Sequence, residues 1–322
     1  MTRANELVTV FGGSGFVGRY VVRALARRGY RVRAAVRRPD LAFHLQPLGN
    51  VGQIHAVQAN LRYPQSVAAA VAGSDAVVNC VGILSEGGRQ TFDAVQAFGA
   101  GAIARAAAGE GISRVAHVSA IGADRDSESN YARTKGLGEA AVMEAVPSAV
   151  ILRPSIVFGQ EDGFFNKFAS MARFSPVLPL IGCGLTKFQP VYVNDVAEAV
   201  ARAVDGEVPA GSVQELGGPR VASFKDLLEL MLTETAHKRL LVPLPFPLAS
   251  FIGSAVGWLP GAPITADQVK LLRHDNVVTD AAIAEGRTLE GMGIEPVAME
   301  TILPTYLTRY RKAGQFTPEP GR

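Results

Sequence analysis

The chain has 322 residues, 48% of them hydrophobic and 19% charged, with a formal net charge of +3. Average globular chains are about 45–50% apolar and about 25% charged, so this apolar, charge-poor chain is not a disordered one. The weak charge gives no argument for a nucleic-acid partner, and two cysteines, Cys80 and Cys183, exclude a disulfide scaffold.

Leu7–Phe11 is a short, apolar, β-branched run of the kind that forms a buried parallel strand. Gly12, Gly13, Ser14, Gly15, Phe16, Val17 and Gly18 follow at once. Residues 19–28 then place Val21, Val22 and Leu25 at helical spacing, Gly29 stops that helix, and 30–36 reads as a second strand. The alternation continues with a strand at Ile54–Gln58, a helix at 64–72 with Pro64 in its first turn, and a strand at 76–81. An Ala-rich helix at 92–109, a strand at 115–119, a helix at 131–145 and a strand from 149 to 152 complete it. Strands alternating with helices imply right-handed crossovers and a parallel sheet.

The fold class expected is α/β: a Rossmann-type doubly wound parallel sheet with a smaller C-terminal α/β lobe. The dinucleotide-binding domain is expected over 1–154 plus about 188–204, and the lobe over 155–187 plus 205–322. Within the 188–204 return to the first domain, a helix is expected at 195–204. Ser223 with Asp226 and Thr265 with Gln268 read as capping boxes. Residues 240–262 carry no charge, but Pro243, Pro245, Pro247, Pro260, Gly253 and Gly257 break any membrane-spanning helix. A short buried helix over 248–259 is expected, with an apolar patch against a partner or a bilayer surface as the other reading. The first residues show no charged-then-apolar leader, and a cytoplasmic protein is expected.

The strand–glycine–helix context makes the first forty residues a nucleotide loop. Gly12 permits the tight turn, Gly15 lets backbone approach a pyrophosphate, and Gly18 lets the helix pack. The first turn, with Phe16 and Val17, then presents free N–H groups to phosphate. An NAD site carries an acidic residue about 20 residues on, at the ribose 2′-OH. Here the second strand ends in Arg37 and Arg38, with no acid until Asp40. Arg37 and Arg38, with Arg19 beside them, suit a 2′-phosphate, so NADPH is expected rather than NAD(H). Asn60 and Leu61 follow the third strand, where adenine would lie. Val81 and Gly82 follow the fourth, where the chain passes close to the cofactor.

Tyr131 and Lys135 stand at i and i+4 of one helix, a phenol and an ammonium on one face. Such a pair can do acid–base chemistry, with the lysine lowering the tyrosine pKa and holding a ribose. Pro154, next to Arg153, is expected to fix a turn near the nicotinamide and leave its carbonyl exposed, with Ile156 just beyond. The five histidines are scattered and offer no metal-ligand spacing, and Cys80 reads as a core residue.

With these residues the chain resembles the extended branch of the short-chain dehydrogenase/reductase superfamily. The likeness runs through the 12–18 glycine loop, Tyr131 with Lys135, the 152–159 run Leu-Arg-Pro-Ser-Ile-Val-Phe-Gly, and the 191–197 run Val-Tyr-Val-Asn-Asp-Val-Ala. Residues 164–171, Arg173, Phe174, 187–193 and the prolines of 243–247 are similar to the NADPH-binding accessory subunit family of respiratory complex I. The resemblance implies a tightly held NADPH, complex I peripheral-arm subunits as partners, and a place on the inner face of an energy-transducing membrane. It also implies a structural or assembly role, with membrane-surface contact through 240–264.

Enzymes of the superfamily carry a Ser or Thr doublet after the fifth strand to bind the substrate oxygen. Here Ser119 stands alone before Ala120 and Ile121, a degenerate position. Ser127 and Ser129 lie in the following loop and are available as substitutes. The alternative function is a free NADP-dependent oxidoreductase or epimerase acting on a small substrate.

Overall fold

The computed structural model describes residues 3–256 and 265–312. The chain divides into two compact units. The first comprises Met1–Pro154, Val193–Leu216 and Val278–Glu295. The second comprises Ser155–Tyr192, Gly217–Val277 and Pro296–Arg322.

Seven strands build the sheet of the first unit: β1 (Leu7–Phe11), β2 (Arg31–Val36), β3 (Ile54–Gln58), β4 (Ala76–Asn79), β5 (Val115–Val118), β6 (Val150–Pro154) and β7 (Val213–Leu216). Their order is β7-β6-β5-β4-β1-β2-β3, and every neighbouring pair is parallel. Strands covered on both faces need apolar residues on both, and β4 and β5 are buried throughout. One face takes α1 (Phe16–Arg27) and α5 (Val193–Asp205), which pack on each other. The other takes α2 (Pro64–Val71), α3 (Gly99–Gly109) and α4 (Asn130–Ala145), over a core that includes Val77, Ile103, Val115, Val142 and Ile151.

Asp205 ties the α1 face. It accepts from Arg28 Nε at 2.8 Å and from the Tyr30 hydroxyl at 2.7 Å, and it also pairs with Arg3. The expected 92–109 helix is wound in two ways, as a π segment over Asp93–Phe98 and then as α3. The π turn brings Gln96 backbone against Gly138 of α4, where a side chain on Gly138 would collide with the Gln96 carbonyl. Helices interrupted in this manner cluster at functional sites.

The first unit also takes residues 205–216 and 278–295, which the sequence reading gave to the lobe, and its return begins at Val193 rather than near 188. The reason is β7. Val213–Leu216 pairs with β6 from Ile151 to Pro154, and its outer edge is covered where Glu215 N–H donates to the Arg287 carbonyl at 2.9 Å.

The second unit has its own core, with Phe158, Phe165, Leu178, Phe224, Leu227 and Met231 at its centre. Both capping boxes form, at Ser223/Asp226 and at Thr265/Gln268. Val177–Ile181 and Leu240–Leu244 pair as two parallel strands. The expected buried helix over 248–259 is instead an exposed one at Phe246–Val256. Leu248 is 49% and Phe251 72% exposed, and the helix is anchored by Ala249 and Gly253. Proline is tolerated in a helix's first turn, so Pro247 permits the earlier start. Residues 257–264, part of the charge-free stretch, lie outside the described residues.

Candidate functional site

The glycine loop connects β1 to α1. Gly12 has φ +75°, a conformation that favours glycine, and its N–H donates to the Ala35 carbonyl of β2 at 3.0 Å. A side chain on Gly12 would press on the Cys80 carbonyl. Gly18 is needed for a reason nearer than sheet packing, because a Cβ there would enter the Gly12 carbonyl itself. Gly15 is the N-cap of α1 and offers no side-chain cap, so the N–H groups of the first turn, from Phe16 to Gly18, lack a side-chain partner at the positive end of the helix.

The three arginines are held differently. Arg19 folds back on the loop, with Nε donating to the Gly15 carbonyl and Nη2 to the Ser14 carbonyl, each at 3.2 Å. Arg37 is exposed at the end of β2. Arg38 forks onto Asp40, with Nη2 to Oδ2 at 2.6 Å and Nε to Oδ1 at 3.0 Å. Past β3, Asn60 braces its own turn by accepting from Arg62 N–H at 3.2 Å, and Leu61 packs over Gly99 of α3.

The other end of the site is buried. Lys135, on the inner face of α4, is 5% exposed and donates to the Val118 carbonyl at 3.2 Å. Burial depresses its pKa to about 8, partly offset by Glu139 and Cys80. Gly82 abuts its ammonium: a Cβ there would stand 3.3 Å from Nζ. The Val81 N–H donates to Asn79 Oδ1 at 2.9 Å, and Asn79 Nδ2 lies 3.0 Å from His117 Nδ1. With Oδ1 accepting, the amide donates to Nδ1, which places the imidazole proton on Nε2. Burial holds His117 neutral, down to about 3, with the Lys135 charge adding to the shift. Cys80 is pushed up to about 12 by burial, so its thiol is inert.

Tyr131 is half-buried at the start of α4, edge-on to Phe92 with centroids 5.8 Å apart. Burial pushes its phenol up to about 12. This corrects the expectation that Lys135 lowers it: desolvation prevails, and the ammonium is engaged with Val118. Ser119 is buried and its Oγ has no partner. Ala120, next to Ser119, carries no hydroxyl, and Ile121 beyond it enters a small cluster with Val278 and Ala282. Ser129 caps α4, accepting from Ala132 N–H at 3.3 Å, and Ser127 accepts from Ser129 N–H at 3.2 Å.

Pro154 ends β6, but its carbonyl is not exposed, because Ile121 N–H donates to it at 3.0 Å. Ile156 belongs to the second unit, half-buried against that unit's core. The sequence reading missed the buried polar residues that support α4. Thr134 donates to Gln96 Oε1 at 2.9 Å, and Arg153 forks onto Glu139 at 2.9 and 2.6 Å. The available signal was polarity inside an apolar strand: Asn79 in Ala-Val-Val-Asn and His117 in Val-Ala-His-Val. Among the described residues, no group of three or more His, Cys, Asp or Glu is placed to hold a metal ion.

These residues fit a nicotinamide dinucleotide. The buried Ser119 hydroxyl lacks a partner, and Lys135 spends one of its three donors on Val118.

A family profile described as NAD(P)H-binding matches residues 12–157, and one described as RmlD substrate binding domain matches 123–239. The Arabidopsis thaliana mitochondrial NADH dehydrogenase (ubiquinone) 1 alpha subcomplex subunit 9 is 35% identical over 320 residues, covering 96% of this chain and 79% of its own. The Neurospora crassa mitochondrial NADH-ubiquinone oxidoreductase 40 kDa subunit is 32% identical over 318 residues, covering 97% and 81%. The chain belongs to this complex I accessory-subunit family. An Escherichia coli NADPH-dependent quinone oxidoreductase complexed with NADPH shares the accessory-subunit fold, with a TM-score of 0.72 at 20% identity, over 94% of this chain and 99% of that one. The match to the NAD(P)H-binding profile, residues 12–157, includes the glycine loop, Ser119, Tyr131, Lys135 and Pro154.

Proposed function

We propose that the protein is an NADPH-holding accessory subunit of respiratory complex I, with a structural or assembly role and little turnover of its own. The observation that carries the low-turnover reading is the state of the Tyr131–Lys135 pair. The phenol is raised to about 12, so it stays protonated near neutral pH, and the ammonium is bound to Val118, an arrangement suited to gripping a ribose. The apolar Ala120 beside the lone Ser119 supports the same reading, because the site lacks one of the groups that polarise a substrate carbonyl.

In this reading the N–H groups of Phe16, Val17 and Gly18 hold the pyrophosphate, and Arg37 and Arg38, with Arg19, take the 2′-phosphate. Asn60, Leu61, Val81 and Gly82 line the adenine-to-ribose path. Ser119, Tyr131 and Lys135 hold the nicotinamide end, with Pro154 beyond them. When bound, NADPH would supply a hydride-donating dihydronicotinamide ring, and these residues would orient it.

The partners are other complex I subunits, and the protein sits peripherally on the inner face of an energy-transducing membrane. Among the described residues no helix is long and apolar enough to cross a membrane. Surface contact through the 240–264 region is supported by the exposure of Leu240, Val242, Leu248 and Phe251.

The second reading, a free NADP-dependent reductase, draws on the retained Tyr131–Lys135 pair and on a Caulobacter vibrioides ceramide reductase, 34% identical over 196 residues. Tyr131→Phe separates the two. The accessory-subunit reading expects intact complex assembly and retained nucleotide in the variant. A substrate turned over by the wild type and lost in the variant would favour the enzyme.

A further inference from the structure

The end of β2 carries a carboxylate that the nucleotide site does not use. Asp40 lies in the 3-10 turn Pro39–Leu41, two residues past Arg38. Its two oxygens accept from the Nε–Nη2 edge of the Arg38 guanidinium, at 3.0 and 3.2 Å from Nε and 2.6 Å from Nη2. This is the forked geometry in which a guanidinium takes a phosphate. The pair is open to water, with the side chains 67% and 55% exposed. Arg19 is spent on the loop carbonyls of Ser14 and Gly15. Of the three cations, only Arg37 stands clear of these arrangements.

We propose that Asp40 is a selectivity-determining residue that competes with the nucleotide 2′-phosphate for Arg38 and so restrains the preference for NADPH over NADH. The inference rests on the reading of Arg37 and Arg38 as the 2′-phosphate clamp. A 2′-phosphate brings close to two negative charges. If it takes the Nε–Nη2 edge, it must displace the Asp40 carboxylate. If it takes the Nη1 side, it lies near a carboxylate of its own sign. Both routes cost NADPH binding free energy, whereas NADH presents a neutral 2′-hydroxyl and incurs neither cost. Exposed ion pairs are weak and screened by salt, so the effect is modest, about fivefold in Kd.

Asn is as favourable in such turns as Asp, so Asp40→Asn removes the charge and keeps the turn. The test is calorimetric titration of the full-length chain, stripped of nucleotide, with NADPH and with NADH at low salt. Asp40→Asn is expected to tighten NADPH about fivefold and leave NADH unchanged. The gain is expected to vanish in an Arg38→Gln background and to shrink in 1 M salt. Unchanged or weakened NADPH binding in Asp40→Asn overturns the proposal, as does equal tightening of NADH. If Arg38→Gln and Arg37→Gln each weaken NADPH while Asp40→Asn has no effect, the clamp stands and only the competition fails. If neither arginine variant changes NADPH affinity, the clamp and the competition fall together.

Discussion

The two ends of the candidate site are held by opposite physical means. At the β2 end, Arg37, Arg38 and Asp40 are exposed, and their contacts are local and screened by solvent. At the α4 end, Lys135, His117, Asn79 and Glu139 are buried, and each depends on partners from other strands or helices. The difference teaches where binding and folding are coupled. Charges at the open end can change affinity with little effect on the fold. Polar groups at the closed end are part of the fold, so a change there acts on stability first.

The sharpest way to break this contrast is Arg153→Met. It leaves Glu139, 7% exposed, without the guanidinium that forks onto it. Loss of one partner of a buried pair costs about 3–5 kcal/mol, read as a shift in urea-unfolding free energy. A loss below 1 kcal/mol would show that the closed end is not coupled to folding.

His117 gives the next largest effect. Its folded pKa is about 3, against 6.5 for the free side chain. Below pH 6.5 the unfolded state takes a proton that the folded state refuses, so stability falls with pH and keeps falling to about pH 3. The contribution lost by pH 3 is about 4 kcal/mol. His117→Gln is expected to flatten that part of the stability profile relative to wild type.

Lys135 works at the other end of the pH scale. Its folded pKa of about 8 lies below the free value of 10.5. Below pH 8 the buried charge costs its full amount. Between pH 8 and 10.5 the folded state sheds the proton first, so stability rises relative to a Lys135→Met variant by about 3 kcal/mol. Parallel stability profiles over that window would contradict the burial argument.

The smallest stability effect belongs to the open end. Arg37→Asp with Arg38→Ala is expected to move the nucleotide-free unfolding free energy by under about 0.5 kcal/mol, while NADPH retention through gel filtration falls sharply. Unchanged retention would remove the 2′-phosphate assignment.

The same contrast explains what was legible in the sequence. Strands β1 to β6 and helices α1 to α4 show in the alternation of β-branched runs with helical spacing, because each buries a face defined by local pattern. The glycine loop is legible because positive φ and backbone crowding at Gly12 and Gly18 demand glycine. β7 was not legible: Val-Gln-Glu-Leu is too short and polar to read as a strand, and β6 and Arg287 define it from a distance. The closed end was half legible. Tyr131 and Lys135 announce themselves by spacing, but the direction of the Tyr131 pKa depends on burial, which spacing does not contain. The exposed helix at Phe246–Val256 was misread because an apolar run looks like core wherever it lies.

The measurement that tests the central claim most directly is affinity purification of the full-length tagged chain from native membranes in mild detergent, with nucleotide analysis of the eluate. The accessory-subunit account predicts that other complex I subunits co-purify, with near-stoichiometric NADPH that resists exchange against added NADP⁺. A chain that elutes alone, exchanges its nucleotide freely and reduces a carbonyl substrate would contradict it.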